Sequence, residues 1–424
     1  MKIWIVTIGE PTLLDSKNPR LLRSAILANK LTEKEVDVTF FNSTFDHTQK
    51  KHRFSKNTEV KHKEFLKYFF LKSTGYKKNI SLLRLIDHFF IARNFKNVIN
   101  KLAVPDLIFC SMPTIELAYY SAKFAEKNRI PLIIDIRDLW PDNFYVNKKN
   151  KFLKFIFKSI FSISNSRLKY ALSSCSSITG ITDSFVSWGE SKTKKNKYLN
   201  NQSFFLTKPF KPNSKENLNK ARIFWDKLGV NEDDFNISLC VSFSSALDFD
   251  TIIESAVILS EKKINVKFIL CGIGELLEDC KKKASGLKNI LFPGWINSSE
   301  IEILMLRSKF GILPYKNFFD FKMSIPNKVS EYFSYGLPLL TCLKGDVEKL
   351  ILNNNCGIIY KESDSLDLSK KIIYQLENYD SFGYKEKSSD LYNKKFKADK
   401  IYENMCNHIF KINRDFNLRE QESF

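Results

Sequence analysis

No stretch of this 424-residue sequence approaches the ~20 consecutive apolar residues that a bilayer-crossing helix requires, so any membrane contact is expected to be peripheral. The eight cysteines form no C-x-x-C pair, and several sit inside apolar runs such as Phe268–Cys271; they read as reduced, buried thiols of a cytosolic protein. His62, His88 and His408 have no companions at ligand spacing, so no metal site is indicated. Low-complexity tracts and short internal repeats are absent. The opening MKIWIVTIGEP offers one Lys and then a seven-residue apolar run, too short for a signal-peptide core, and a cytoplasmic location is expected.

Acidic residues are scarce in the first half only. Residues 1–215 hold 38 Lys+Arg against 17 Asp+Glu, a net +21, whereas residues 216–424 hold 29 against 30, a net −1. A half-molecule with that field attracts anionic partners, either nucleic acid or an anionic lipid surface. The basic residues are not organised around one helix or a recognisable nucleic-acid module, which sets the lipid reading ahead and leaves nucleic-acid binding as a rival. Lys151–Tyr170 sets Phe152, Phe155, Ile156 and Phe161 among Lys151, Lys154, Lys158, Arg167 and Lys169 on a helix pattern, and Phe65–Phe70 with Lys77 and Lys78 adds a second aromatic and basic segment. Both are expected to rest on anionic headgroups.

What is abundant is alternation: short β-rich apolar runs followed by amphipathic helix patterns, the signature of βαβ units round parallel sheets. The length favours two domains. Two doubly wound sheets are expected, in an amino-terminal domain over 1–207 and a second over 218–398, joined by a Pro-interrupted linker at 208–217. A last helix pattern, 399–424, follows the second sheet and is expected to return to the first domain. Open sheets of this kind bind ligands outside the carboxyl ends of their strands, so two of them are expected to face one central cleft.

The richest segment is Ser324-Ile325-Pro326-Asn327-Lys328-Val329-Ser330-Glu331-Tyr332, closing at Gly336-Leu337-Pro338. A strand leads by a loop into a helix opened by Ser-x-Pro and ended by Gly. Unpaired N–H groups and the positive dipole end at such a start suit a diphosphate, Lys328 adds a cation, and Glu331 can accept from a ribose diol. Gly9 ends the first strand and lets the backbone turn sharply; Arg20 and Arg23, one turn apart on a helix, would grip an acceptor's phosphate or merely lie on an exposed face. One Gly rather than three argues against a nicotinamide cofactor. Asp248-Phe249-Asp250 has a metal-binding Asp-x-Asp form, yet its place before a helix fits an N-cap better. Gly272-Ile273-Gly274 reads as a backbone turn, and Arg137 either pairs with Asp135 or Asp142 or serves the ligand.

With these residues the chain resembles glycosyltransferase family 4, the GT-B fold, through Pro326–Pro338. Gly9-Glu10-Pro11, Ser43–His47, Asp135–Asp142 and Phe292–Ile296 resemble its bacterial surface-polysaccharide (O-antigen and capsule) branch. The resemblance implies a retaining, metal-independent transfer of a sugar, an N-acetylated amino sugar or deoxyhexose being the candidates. The donor would be a UDP-sugar, with no cofactor, and the acceptor polyprenyl-diphosphate-linked or a glycan, at the inner face of the cytoplasmic membrane. It makes Asp138, Lys328 and Glu331 the catalytic candidates. Gly9, Glu10, Lys208, Gly272, Ser324, Asn327, Lys328 and Glu331 become donor contacts, and Arg20, Arg23 and His47 acceptor contacts. Two departures stand out: Met323 occupies the place of the family's first Glu, with Asp320 and Lys322 nearby, and the loop Ser242–Leu247 lacks the family's usual cations. Nucleotide-sugar 2-epimerases share the architecture and are the alternative activity.

Overall fold

The computed structural model describes residues 1–16, 19–78, 81–193, 200–209 and 212–422; Phe210 and Lys211 of the expected linker lie outside them. The chain divides into two compact units, Met1–Lys208 with Ala398–Phe424, and Pro209–Lys397.

The first unit is built on eight strands: β1 (Lys2–Val6), β2 (Asp37–Ser43), β5 (Thr58–Lys63), β6 (Leu66–Leu71), β7 (Leu107–Met112), β8 (Leu132–Ile136), β9 (Ser177–Gly180) and β10 (Gln202–Ser203), with a small separate hairpin of β3 (Phe45–Asp46) and β4 (Lys51–His52) after β2. The order is β10-β9-β8-β7-β1-β2-β6-β5, and every pairing is parallel except β5 with β6. Strands covered on both faces must be apolar throughout, and β7 and β8 are buried at every residue. The helices are α1 (Arg23–Thr32), α2 (Leu82–Ile99), α3 (Ile115–Asn128), α4 (Lys151–Ile160), α5 (Ser162–Ser174) and α6 (Asp183–Ser191).

Three expectations change. The segment read as a second lipid-facing patch is the strand β6, whose Leu66, Tyr68, Phe70 and Leu71 are buried; its alternation has the period of a strand, not a helix. The single helix expected over 152–172 breaks at Phe161 into α4 and α5. Finally, α1 begins at Arg23 rather than Arg20.

The carboxyl-terminal helix Ala398–Glu422 belongs to the first unit. Ile401, Met405, Ile409 and Ile412 repeat at helical spacing and share a core with Ile3, Ile5, Leu27, Leu31 and Phe40. Tyr402 donates from its hydroxyl to the carbonyl of Thr207 at 3.2 Å, and His408 Nε2 meets Ser177 Oγ at 3.0 Å.

The second unit is a six-stranded, wholly parallel sheet in the order β13-β12-β11-β14-β15-β16: β11 (Phe235–Cys240), β12 (Val266–Cys271), β13 (Ile290–Gly294), β14 (Phe310–Leu313), β15 (Leu339–Thr341) and β16 (Gly357–Ile359). In each unit the first strand is central and the chain leaves it in opposite directions: β1 lies between β2 and β7, β11 between β12 and β14. Those are the switch points where loops diverge and leave a crevice.

Burial pushes the His408 imidazole down to about 4, with Lys411 acting in the same sense against Asp135. A folded value below the unfolded ~6.5 favours the neutral form, so this contribution is complete above that pH and lost as pH falls toward about 4. Urea midpoints are expected to drop over that window, and His408→Gln, which keeps a partner for Ser177, to flatten the drop.

Candidate active site

In the second unit, β14 runs by a loop into the helix Asn327–Ser334, which begins after Pro326 with no side-chain cap. The first-turn amides therefore keep part of their donor capacity at the carboxyl edge of the sheet. Lys328 Nζ and Glu331 Oε2 meet at 2.7 Å, both partly exposed, so the two candidates for phosphate and ribose stand side by side. Lys328 also lowers the otherwise burial-raised Cys271 thiol, which places its charge close to the end of β12 and Gly272. Ser324 Oγ bonds the carbonyl of Phe321 at 3.3 Å.

Space, not charge, holds this helix down. A Cβ on Gly311 would lie 2.4 Å from the Tyr332 ring, and the Tyr332 hydroxyl points to the Ser238 carbonyl on β11 at 3.4 Å. The β11 and β12 loops touch backbone to backbone: a Cβ on Gly272 (φ +134°) would sit 1.8 Å from the Val241 carbonyl oxygen, and one on Gly274 (φ +157°) 2.4 Å from that of Phe243. Phe243 N donates to the Ile273 carbonyl at 2.9 Å. Asp248 caps the helix Phe249–Glu261, accepting from Thr251 N at 3.2 Å and Thr251 Oγ1 at 2.7 Å. Asp250 instead pairs with Lys283.

One cation escaped the sequence reading. Lys316, just beyond β14, donates through Nζ to the Ser245 carbonyl at 2.9 Å and through its backbone N to that of Ala246 at 3.1 Å. The loop 242–247 has no cation of its own, but its neighbour across the switch point brings one. The readable signal was adjacency of β14 to β11, which requires the topology.

At the carboxyl edge of the first unit, Gly9 (φ +76°) turns next to His47, whose Cβ lies 3.7 Å from where a Gly9 Cβ would stand. Glu10 is spent elsewhere: its carboxylate accepts from Ser24 N and Ala25 N at the start of α1 and pairs with Arg137. Arg23 is equally committed, 4% exposed, with Nε and Nη2 on Asp135 at 2.9 and 3.0 Å and Nη1 on the Phe204 carbonyl at 2.7 Å. Arg20, in the preceding loop, is exposed. The expected Arg20 and Arg23 grip therefore does not exist as one helix face, and Arg137, bound to Asp135 and Glu10, braces the loop. Asp138, half-buried, accepts from Leu139 N at 2.8 Å and from Asn143 Nδ2. Lys208 closes the first unit's main segment.

Gly311→Ala is expected to push Tyr332 off β14, costing about 1–3 kcal/mol of the second unit's stability as an overpacked site does. Its melting temperature and its affinity for UDP should fall together; a variant melting like the parent would contradict this packing.

Residues 223–397 match the family Glycosyl transferases group 1. Among solved structures, a sucrose-phosphate synthase from Thermosynechococcus elongatus superposes at a TM-score of 0.69 with 12% identity, covering 96% of this chain and 97% of that one. HepE from Anabaena, solved in complex with UDP-glucose, does so at 0.62 with 13% identity over 97% and 100%. WaaG, a glycosyltransferase involved in lipopolysaccharide biosynthesis, gives 0.62 and 14% over 96% and 99%. No curated protein sequence is similar enough to count as a match. At such identities the superpositions establish the fold alone, that of GT-B glycosyltransferases, and the sequence match identifies the segment 223–397 as a glycosyl transferases group 1 domain.

Proposed function

We propose that this protein is a retaining glycosyltransferase that takes a sugar, an N-acetylated amino sugar or deoxyhexose, from a UDP-sugar and places it on a polyprenyl-diphosphate-linked or glycan acceptor in bacterial surface-polysaccharide synthesis. The observation that carries it is the helix Asn327–Ser334 opening beside the β11/β14 switch point with Lys328 and Glu331 in contact at its start. HepE, solved with UDP-glucose, lends the donor class.

The chemistry needed is mainly electrostatic. Negative charge grows on the departing diphosphate, and preorganised N–H groups with a cation beside them stabilise it without reorganising. Lys328 supplies that cation, Lys316 a second on the other side of the switch point, and Glu331 turns from Lys328 to the ribose diol when the donor enters. The acceptor proton passes to the leaving β-phosphate oxygen, the glycosidic bond forms as the anomeric C–O bond to phosphate breaks, and UDP departs. Asp138, at the first unit's carboxyl edge, is assigned to orient a sugar hydroxyl.

Lys328→Ala is expected to lower kcat/KM about 10²-fold, the scale of losing one charge-stabilising donor. Glu331→Gln should weaken UDP about tenfold, the scale of a hydrogen bond to a charged group. Acceptor-dependent UDP release and UDP titration measure them, and unchanged values in both variants would remove the helix from the mechanism. UDP release that needs no acceptor would point to the epimerase instead.

The acceptor class fits peripheral attachment through the first unit. No described helix is long and apolar enough to cross a membrane. Yet α4 buries none of its residues, leaving Phe152, Phe155 and Ile160 about two-thirds exposed among Lys151, Lys154 and Lys158. Leu82, Leu83 and Ile86 of α2 are exposed too, and the stacked rings Trp140, Phe144 and Phe161 run from α2's neighbour His88 to the α4/α5 break. An apolar face rimmed by Lys suits anionic headgroups. The protein is expected to float with phosphatidylglycerol vesicles at low salt and to lose this with Phe152→Ser plus Phe155→Ser; parent protein left at the bottom of the gradient would exclude the surface.

A further inference from the structure

The first unit gathers positive charge at one place that the reading above leaves unused. The β3–β4 hairpin presents His47 and Lys50 in its turn, and α2 presents Arg84 and His88 one turn apart on one face. All four converge on two rings. His47 Nδ1 is hydrogen-bonded to the Tyr76 hydroxyl, Lys50 Nζ lies 4.7 Å and Arg84 Cζ 5.8 Å from the Tyr76 ring centre. Arg84 also sits 5.2 Å from the Trp140 centre, on which His88 stacks at 5.6 Å.

The nearby carboxylates are drawn away from this cluster. Asp46 accepts from Thr48 N and Gln49 N and pairs with Arg53. Asp87 accepts from Thr74 N, Gly75 N and the hydroxyls of Ser73 and Thr74. Asp138, two residues from Trp140, holds Leu139 N and Asn143. A second observation is independent of charge: His88 is 3% exposed and its buried Nε2 has no hydrogen-bond partner, a cost that proteins rarely carry without a use. The neighbourhood of Gly9 and His47 puts the cluster at the end of β1, beside the crevice of this sheet.

We propose that His47, Lys50, Arg84 and His88 form a binding site for the phosphate or diphosphate of the acceptor. The role as an acceptor site rests on the transferase reading; the anion chemistry does not. Like charges desolvated together on aromatic faces repel, and a multiply charged oxyanion converts that repulsion into attraction while filling the vacant valence of His88. The two imidazoles register the repulsion: burial first, then Lys50 and Arg84, bring His47 down to about 4, and burial with Arg84 and His47 brings His88 down to about 3. Asp46 is the one listed group that opposes the shift at His47. An anion bound here must raise both values, so binding takes up protons and strengthens as pH falls toward them.

With only five His in the chain, selective imidazole labelling and His→Gln assignment resolve each ring by NMR. The whole protein, its donor site filled by saturating UDP, is titrated with inorganic pyrophosphate and, separately, farnesyl diphosphate. The expected result is a saturable shift of His47 and His88, with raised titration midpoints and an affinity about tenfold weaker in Arg84→Gln and in Lys50→Gln, the hairpin variant that leaves α2 intact. Tighter binding of farnesyl diphosphate assigns a lipid-linked source, and equal binding a soluble phosphate-bearing acceptor; both support the site. Rings that do not move at millimolar anion, or that move only in step with His62 and His408, overturn it. Unmoved rings beside intact UDP release sink this site alone, whereas saturable shifts in a protein that binds no UDP sink the transferase reading and keep the anion site.

Discussion

Asp135 carries a negative charge in the interior of the first unit, and the carboxyl edge of that unit depends on it. Burial pushes its carboxyl up, but Arg23 and Arg137 outweigh burial and hold it below the usual carboxylate range. Neither guanidinium would be tolerable there without it, and Arg137 in turn holds Glu10, which closes on the first amides of α1. Thr179 of β9 adds a hydroxyl at 2.8 Å, and Arg23 reaches on to the Phe204 carbonyl. Removing one member of such a buried set leaves an uncompensated charge, at a cost of about 3–5 kcal/mol. The network thus ties β8, β9, α1, the β1 loop and the β10 end together under the surface where ligands are expected.

The second unit solves the same problem without buried ion pairs. Its crevice is shaped by backbone approaching backbone at Gly272 and Gly274, and by a ring seated where Gly311 has no side chain. Rigid, uncharged walls leave Lys328, Lys316 and Glu331 as the polar groups at its mouth. Their electrostatic effect on a diphosphate is larger for having low-dielectric walls behind them.

The charge imbalance between the halves acquires a location by the same logic. Part of the first half's excess is internal, as Arg23 and Arg137 are. Part collects on α4, where Lys flanks exposed Phe, and part round Tyr76 and Trp140, where it meets no available carboxylate. An anionic lipid surface and an anionic acceptor group would use two faces of one unit.

Taken alone, the sequence determined whatever depends on near neighbours. It showed the strand, loop and capped helix round Pro326–Pro338, the Asp248 cap three residues before Thr251, the repeating apolar stripe of the last helix, and the alternation that makes two parallel sheets. Each is set by propensity, hydrogen bonding or periodicity within a few residues. Tertiary structure decided the rest. Arg23 looked like a ligand-gripping cation until Asp135, more than a hundred positions away, claimed it. Phe65–Phe70 looked like a lipid-facing patch until β2 and β5 flanked it as a strand. Lys316 and His88 drew no notice because their surroundings come from distant loops. A side chain's role is fixed by the charges and surfaces around it, and those are brought together by the fold rather than by position along the chain.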